Sequence, residues 1–88
     1  MDLQPGIVVG SVRGHDEGFF AVIRIEGRYA YLADGKRRPL EKPKKKNLKH
    51  LQATGLVLDL SVIQTNRQLK AALRTAFEKE DLAWPRKM

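Results

Sequence analysis

Between residues 5 and 40 the chain alternates short apolar runs with clusters of glycine and acid, a punctuation that suits antiparallel strands and little else. The first run is Gly6-Ile7-Val8-Val9-Gly10-Ser11-Val12-Arg13, broken by Gly14-His15-Asp16-Glu17-Gly18, and the second fills residues 19–26. β-Branched and aromatic side chains dominate the runs because they pack well on a pleated surface, whereas the breaks hold residues that tolerate turn conformations. Glu26-Gly27-Arg28 predicts a tight turn into Tyr29-Ala30-Tyr31-Leu32-Ala33. Asp34-Gly35 predicts a two-residue hairpin, because both residues accept positive φ. These signals together describe a meander of strands.

Pro39 has no backbone donor, so a strand after Asp34-Gly35 is expected to be short or to lie at an edge. Residues 42–46 offer no apolar side chain to bury, and with Pro43 among them they are expected to form a projecting loop, anchored where Leu48 and Leu51 return to the core. Leu56-Val57-Leu58-Asp59-Leu60-Ser61-Val62-Ile63 fits either one buried strand or a packed extended connection. A helix follows. Thr65 and Gln68 have the spacing of a capping box, and Leu69, Ala72, Leu73, Ala76 and Phe77 recur at helical intervals, with Arg67, Lys70, Arg74 and Lys79 on other faces. Trp84-Pro85 is expected to end the helical region. The expected organisation is a β unit over residues 1–55 that carries the basic loop 36–49, then an apolar connection and a packed helix over residues 56–88.

At 88 residues the chain has material for one small domain. Its charge is concentrated. Residues 36–49 hold Lys36, Arg37, Arg38, Lys42, Lys44, Lys45, Lys46 and Lys49 against Glu41 alone, a net +7 that equals the net charge of the whole chain. The other residues carry nine basic and nine acidic groups. A focused positive field attracts a polyanion by neutralising phosphates and releasing their counterions, so nucleic acid is the leading partner. A solvated lysine-rich loop or a basic targeting signal would have the same composition. The absence of cysteine excludes a disulfide framework, a thiolate metal site and a thiol nucleophile, and fits a reducing compartment. No apolar run approaches the roughly 18 residues that span a bilayer, and Asp2-Leu3-Gln4-Pro5 does not open a secretory signal. A soluble cytoplasmic protein without a membrane partner is expected.

No catalytic constellation emerges. His15 and His50 are the only histidines, and neither has a partner at metal-ligand spacing. Asp16 and Glu17 are adjacent in a glycine-flanked turn, where acids ordinarily serve as solvated turn formers. No glycine-rich loop is followed by Lys and then Ser or Thr, so no phosphate-binding loop is present. Glycines 6, 10, 14 and 18 recur every four residues, but charged neighbours exclude a membrane-helix contact and favour strand and turn positions. Phe19, Phe20, Tyr29 and Tyr31 could stack on unpaired bases, yet a domain this small needs most of its aromatics inside, leaving one tyrosine for the surface. Neither a cofactor nor a small-molecule substrate is implied.

The stretch from Gly6-Ile7-Val8-Val9-Gly10 through Arg13-Gly14-His15-Asp16-Glu17-Gly18, followed by Phe20-Ala21-Val22-Ile23, resembles a KOW motif. Joined to Ala33-Asp34-Gly35-Lys36-Arg37-Arg38 and to the lysine-rich stretch ending in Lys49-His50-Leu51, it is similar to small bacterial KOW-domain RNA-binding proteins related to the 14e/6e/27e group of large-subunit ribosomal proteins. The likeness covers roughly residues 4–52. It implies an SH3-like small β-barrel, here with a C-terminal α-helix, and non-catalytic binding of RNA, in particular rRNA or the ribosome. It also implies RNA contact by the loop around the central glycine, which falls on Arg13, Gly14 and His15. Glu17 departs from the basic character usual just before the second loop glycine. A protein-interaction module that docks on a ribosome-associated or transcription factor is the alternative.

Overall fold

The computed structural model describes residues 3–11 and 18–80. It is a five-stranded antiparallel sheet with one C-terminal helix. The strands are β1 (Ile7–Ser11), β2 (Phe19–Glu26), β3 (Tyr29–Ala33), β4 (Lys44–Asn47) and β5 (Leu51–Val57), in the spatial order β4-β3-β2-β1-β5. The helix, α1, spans Asn66–Glu80. No helix among the described residues is long and apolar enough to cross a membrane.

Chain length forces the sheet to curl. β4 and β5 occupy opposite edges, yet only a single 3-10 turn, Leu48–His50, separates them in sequence. In a flat sheet four spacings of about 4.8 Å would hold those edges about 19 Å apart. Asn47 to Leu51 reaches at most about 14 Å even when fully extended. The two edges must therefore approach each other at this end. Ile7, Val9, Phe20, Val22, Ala30, Leu32 and Leu51 form one buried cluster with no helical residue in it, and Leu48 and Ala53 pack at its rim. Their burial comes from the curl of the sheet itself.

The opposite face is covered over part of its area by α1. Val8, Phe19, Ala21 and Ala33 meet Leu69 and Leu73, with Ile23, Leu40, Leu56, Leu58 and Ile63 around them. Phe19 and Phe20 are adjacent in sequence, so the pleat sends one to each cluster. α1 begins as expected: the Thr65 hydroxyl accepts the Gln68 N–H at 3.1 Å, and Gln68 Oε1 accepts the Thr65 N–H at 3.0 Å. This reciprocal pair satisfies donors that a helix start otherwise leaves open. The expected end at Trp84-Pro85 lies outside the described residues.

Three local expectations are corrected. Asp34-Gly35 does not close a two-residue hairpin; residues 34–43 connect β3 to β4, because Asp34 spends its side chain on the backbone of its own loop. Residues 42–46 are not wholly a loop: from Lys44 they form β4, paired through Leu32↔Lys44, Tyr31↔Lys45, Ala30↔Lys46 and Tyr29↔Asn47. An edge strand draws on backbone pairing and needs no apolar outer row, and lysine stems can lie along apolar neighbours while their ammonium groups stay in water. The apolar run at residues 56–63 is neither one strand nor one extended segment. β5 starts earlier, at Leu51, and ends at Val57, after which Asp59 accepts the Ser61 N–H at 3.0 Å and starts a 3-10 turn over Leu60–Val62.

Candidate nucleic-acid interface

The basic segment runs through the connection from β3, along the edge strand β4 and into the 3-10 turn after it, and is tied to the fold at several points. Asp34 Oδ1 accepts the N–H of Lys36 and of Arg38, each at 2.9 Å, and the Arg38 carbonyl accepts the N–H of Asp34 at 2.9 Å and of Gly35 at 3.2 Å. These bonds fix a compact turn that exposes Lys36 and Arg37 and half-buries Arg38. Gly35, at φ +80°, lies against the first turn of α1, where a Cβ would stand 2.3 Å from the Asn66 carbonyl oxygen. Only glycine fits there.

Asn66 makes the second tie. Its Oδ1 accepts the Leu40 N–H at 2.6 Å and its Nδ2 donates to Glu41 Oε1 at 2.8 Å. The Asn66 hydrogen bond holds the Glu41 carboxyl below its ordinary pKa, with a backbone donor adding to the effect. The one acid of the basic segment is thus turned toward the helix. Lys42 is exposed beside it.

The pleat of β4 then divides the lysine triplet. Lys44 and Lys46 stand opposite Leu32 and Ala30 on the core side, at the rim of the curl, whereas Lys45 stands opposite Tyr31 on the other face. Beyond β4, Asn47 Oδ1 accepts the Lys49 N–H at 3.1 Å and shapes the turn that holds exposed Lys49 and half-buried His50. The Leu48 N–H donates to the Arg28 carbonyl at 2.8 Å, which brings the β2–β3 turn alongside. Lys44, Lys45 and Lys46 therefore lie on the edge strand and Lys49 and His50 in the turn after it, while Lys36, Arg37, Arg38 and Lys42 lie in the connection that leads from β3 past the start of α1. Arg13, Gly14 and His15 lie outside the described residues.

Two basic residues on neighbouring elements, Arg24 in β2 and Arg28 in the β2–β3 turn, escaped the sequence-based expectations. Arg28 sits in the tight turn at Gly27-Arg28, close to Lys49 through the Leu48 bond. Arg24 owes its place to a bulge. Val22 pairs with Leu32 but Arg24 pairs with Tyr31, so one extra residue enters β2 and reverses the alternation that follows. Without the bulge Arg24 would point with Val22 into the buried cluster; with it, Arg24 lies across Tyr31, its guanidinium 3.9 Å from the ring centroid. Arg24 Nε donates to Glu26 Oε2 at 3.0 Å, and the Tyr31 hydroxyl donates to Glu26 Oε1 at 3.3 Å. The hydrogen bond to Glu26 pushes the Arg24 pKa further up. Lys45 Nζ lies 4.5 Å from the centroid of Tyr29, the more exposed of the two tyrosines.

No protein-family model matches the chain, and no curated protein matches it either. Among the described residues no three His, Cys, Asp or Glu side chains gather as metal ligands would.

Proposed function

We propose that this is a non-catalytic RNA-binding protein of the KOW type, an SH3-like barrel that associates with structured rRNA or the ribosome in the cytoplasm. The Lys/Arg-rich segment 36–49, together with Arg13, Gly14 and His15, makes the contacts. One observation carries this reading: a segment with net +7 is held in place by strand pairing, by the Asp34 turn and by Asn66, and does not trail as a solvated tail. Fixed cations lose less entropy on meeting a phosphate backbone than cations on a mobile loop do. Phosphate contacts position the domain, while Arg13, His15, Arg37, Arg38 and His50 are the candidates for more specific contacts in a groove or loop.

The test is sedimentation of tagged protein from its own cell lysate through a sucrose gradient. Wild type is expected to travel with the large ribosomal subunit at low salt and to leave it at high salt. Replacing Lys44, Lys45 and Lys46 by Ala is expected to weaken RNA binding by roughly tenfold to a hundredfold while leaving the fold intact, because three phosphate contacts go and no core side chain changes. Protein that stays at the top of the gradient in both salts would speak against ribosome association.

A second reading has its own observation. An apolar groove of about 510 Å³ runs between α1 and the end of β5 with the segment that follows it, lined by Leu56, Leu58, Val62, Ile63, Ala72 and Ala76 among others. Val57 and Val62, in its lining, are 51% and 62% exposed. This surface suits a protein-docking module. Leu69 and Leu73 are spent on the sheet, so any docking uses the neighbouring groove. Docking there would survive the triple lysine substitution.

A further inference from the structure

The uncovered part of the sheet carries more than a phosphate contact needs. Tyr29 and Tyr31 lie on one face of β3, with Arg24 and Glu26 beside them on β2 and Lys45 and Asn47 on β4. α1 covers this face only as far as Ala21 and Ala33, so the tyrosines meet solvent, and Tyr29 is 40% exposed. We propose that Tyr29 and Tyr31, with Arg24 and Lys45, form a stacking platform for unpaired bases, so that the protein prefers single-stranded RNA to duplex. This rests on the RNA-binding function proposed above and specifies its substrate.

Three features point to that ligand. Aromatic rings two residues apart on a strand are about 6.7 Å apart, roughly twice the 3.4 Å step of stacked bases, so adjacent bases reach both rings only when they are splayed. Bases inside an A-form duplex are out of reach of such rings, whereas loops and single strands offer them. The cations lie at ring level. Glu26 draws the Arg24 guanidinium over Tyr31 and also takes the Tyr31 hydroxyl, giving a cation–ring stack on which a base can lie. Lys45 at Tyr29 places a second positive charge where the backbone phosphate of a stacked nucleotide would run. The same charges turn away cationic ligands, which aromatic faces otherwise attract. The platform adjoins the basic edge through Lys45, so one strand can use both.

The test uses the full chain and a labelled oligonucleotide of about ten residues, either single-stranded or as its duplex. Wild type is expected to bind the single strand about tenfold or more tightly than the duplex at raised salt, where phosphate contacts are screened. Tyr29→Ala with Tyr31→Ala is expected to lose about tenfold or more on the single strand and to leave duplex binding within about twofold, while the double Phe variant keeps both. In the wild-type protein the Tyr29 and Tyr31 ring resonances are expected to move upfield with single strand and to stay in place with duplex, a readout independent of any variant's folding. If the double Ala variant binds single strand like wild type, or the rings do not respond, the platform is wrong while phosphate binding stands. Wild type that binds neither form would overturn the platform and RNA binding together.

Discussion

Leu69→Ala is expected to cost about 3 kcal/mol and to lower the thermal midpoint by well over about 10 °C. Leu69 is fully buried, and it is the main apolar link between α1 and the sheet, set among Val8, Phe19, Ala21, Ala33 and Leu73. Ala21 and Ala33 are small because the helix needs a socket there, and their backbones belong to paired strands that cannot move in to fill a cavity. For a domain of this length the whole stability is on the order of 4–13 kcal/mol, so one methyl-rich side chain carries a large share of it. Thermal unfolding followed by circular dichroism gives the number. A change of only a few degrees would mean that α1 does not depend on this contact. Loss of the helix would also release Asn66, and with it the anchor of Leu40 and Glu41.

Gly35→Ala is expected to cost about 3 kcal/mol as well, from two sources that can be separated. A Cβ residue at φ +80° loses roughly 1–2 kcal/mol in the left-handed region, and the new methyl would push against the Asn66 carbonyl oxygen in the first turn of α1. Gly27→Ala supplies the control. Gly27 also has positive φ, at +60°, but nothing lies within 4 Å of the position its Cβ would take, so only the conformational cost of about 1 kcal/mol applies. Denaturant unfolding of both variants measures the difference. Equal losses would show that the loop does not press on the helix; an excess of about 2 kcal/mol at Gly35 would confirm that it does. Since the Asp34 turn that presents Lys36 and Arg37 rests on this approach, Gly35→Ala is expected to weaken RNA binding too.

The elements that could be read from the sequence are those whose signals are local. The Thr65 and Gln68 cap, the turn at Gly27-Arg28 and the burial of Phe19 and Phe20 each follow from one side chain's chemistry or from the two-residue period of a strand. β4 could not be read this way. Three lysines and an asparagine carry no apolar period, and the strand exists because β3 offers it a partner. Nor did Asp34-Gly35 reveal that its glycine serves a contact with residues 66–70, far along the chain. The candidate site divides along the same line. Counting charges located the basic segment, but its division between two faces depends on the pleat of a strand that could not be seen, and Arg24 depends on a bulge.

The affinity of the purified protein for RNA, measured across a range of salt concentrations, decides whether the β4 edge works as a phosphate contact. If the edge neutralises about five phosphates, log affinity falls linearly with log salt at a slope of about −3.5 on single strands and about −4.5 on duplex. A flat response would contradict it, and Lys36 to Lys49 would then be a solvated surface with its function elsewhere on the molecule.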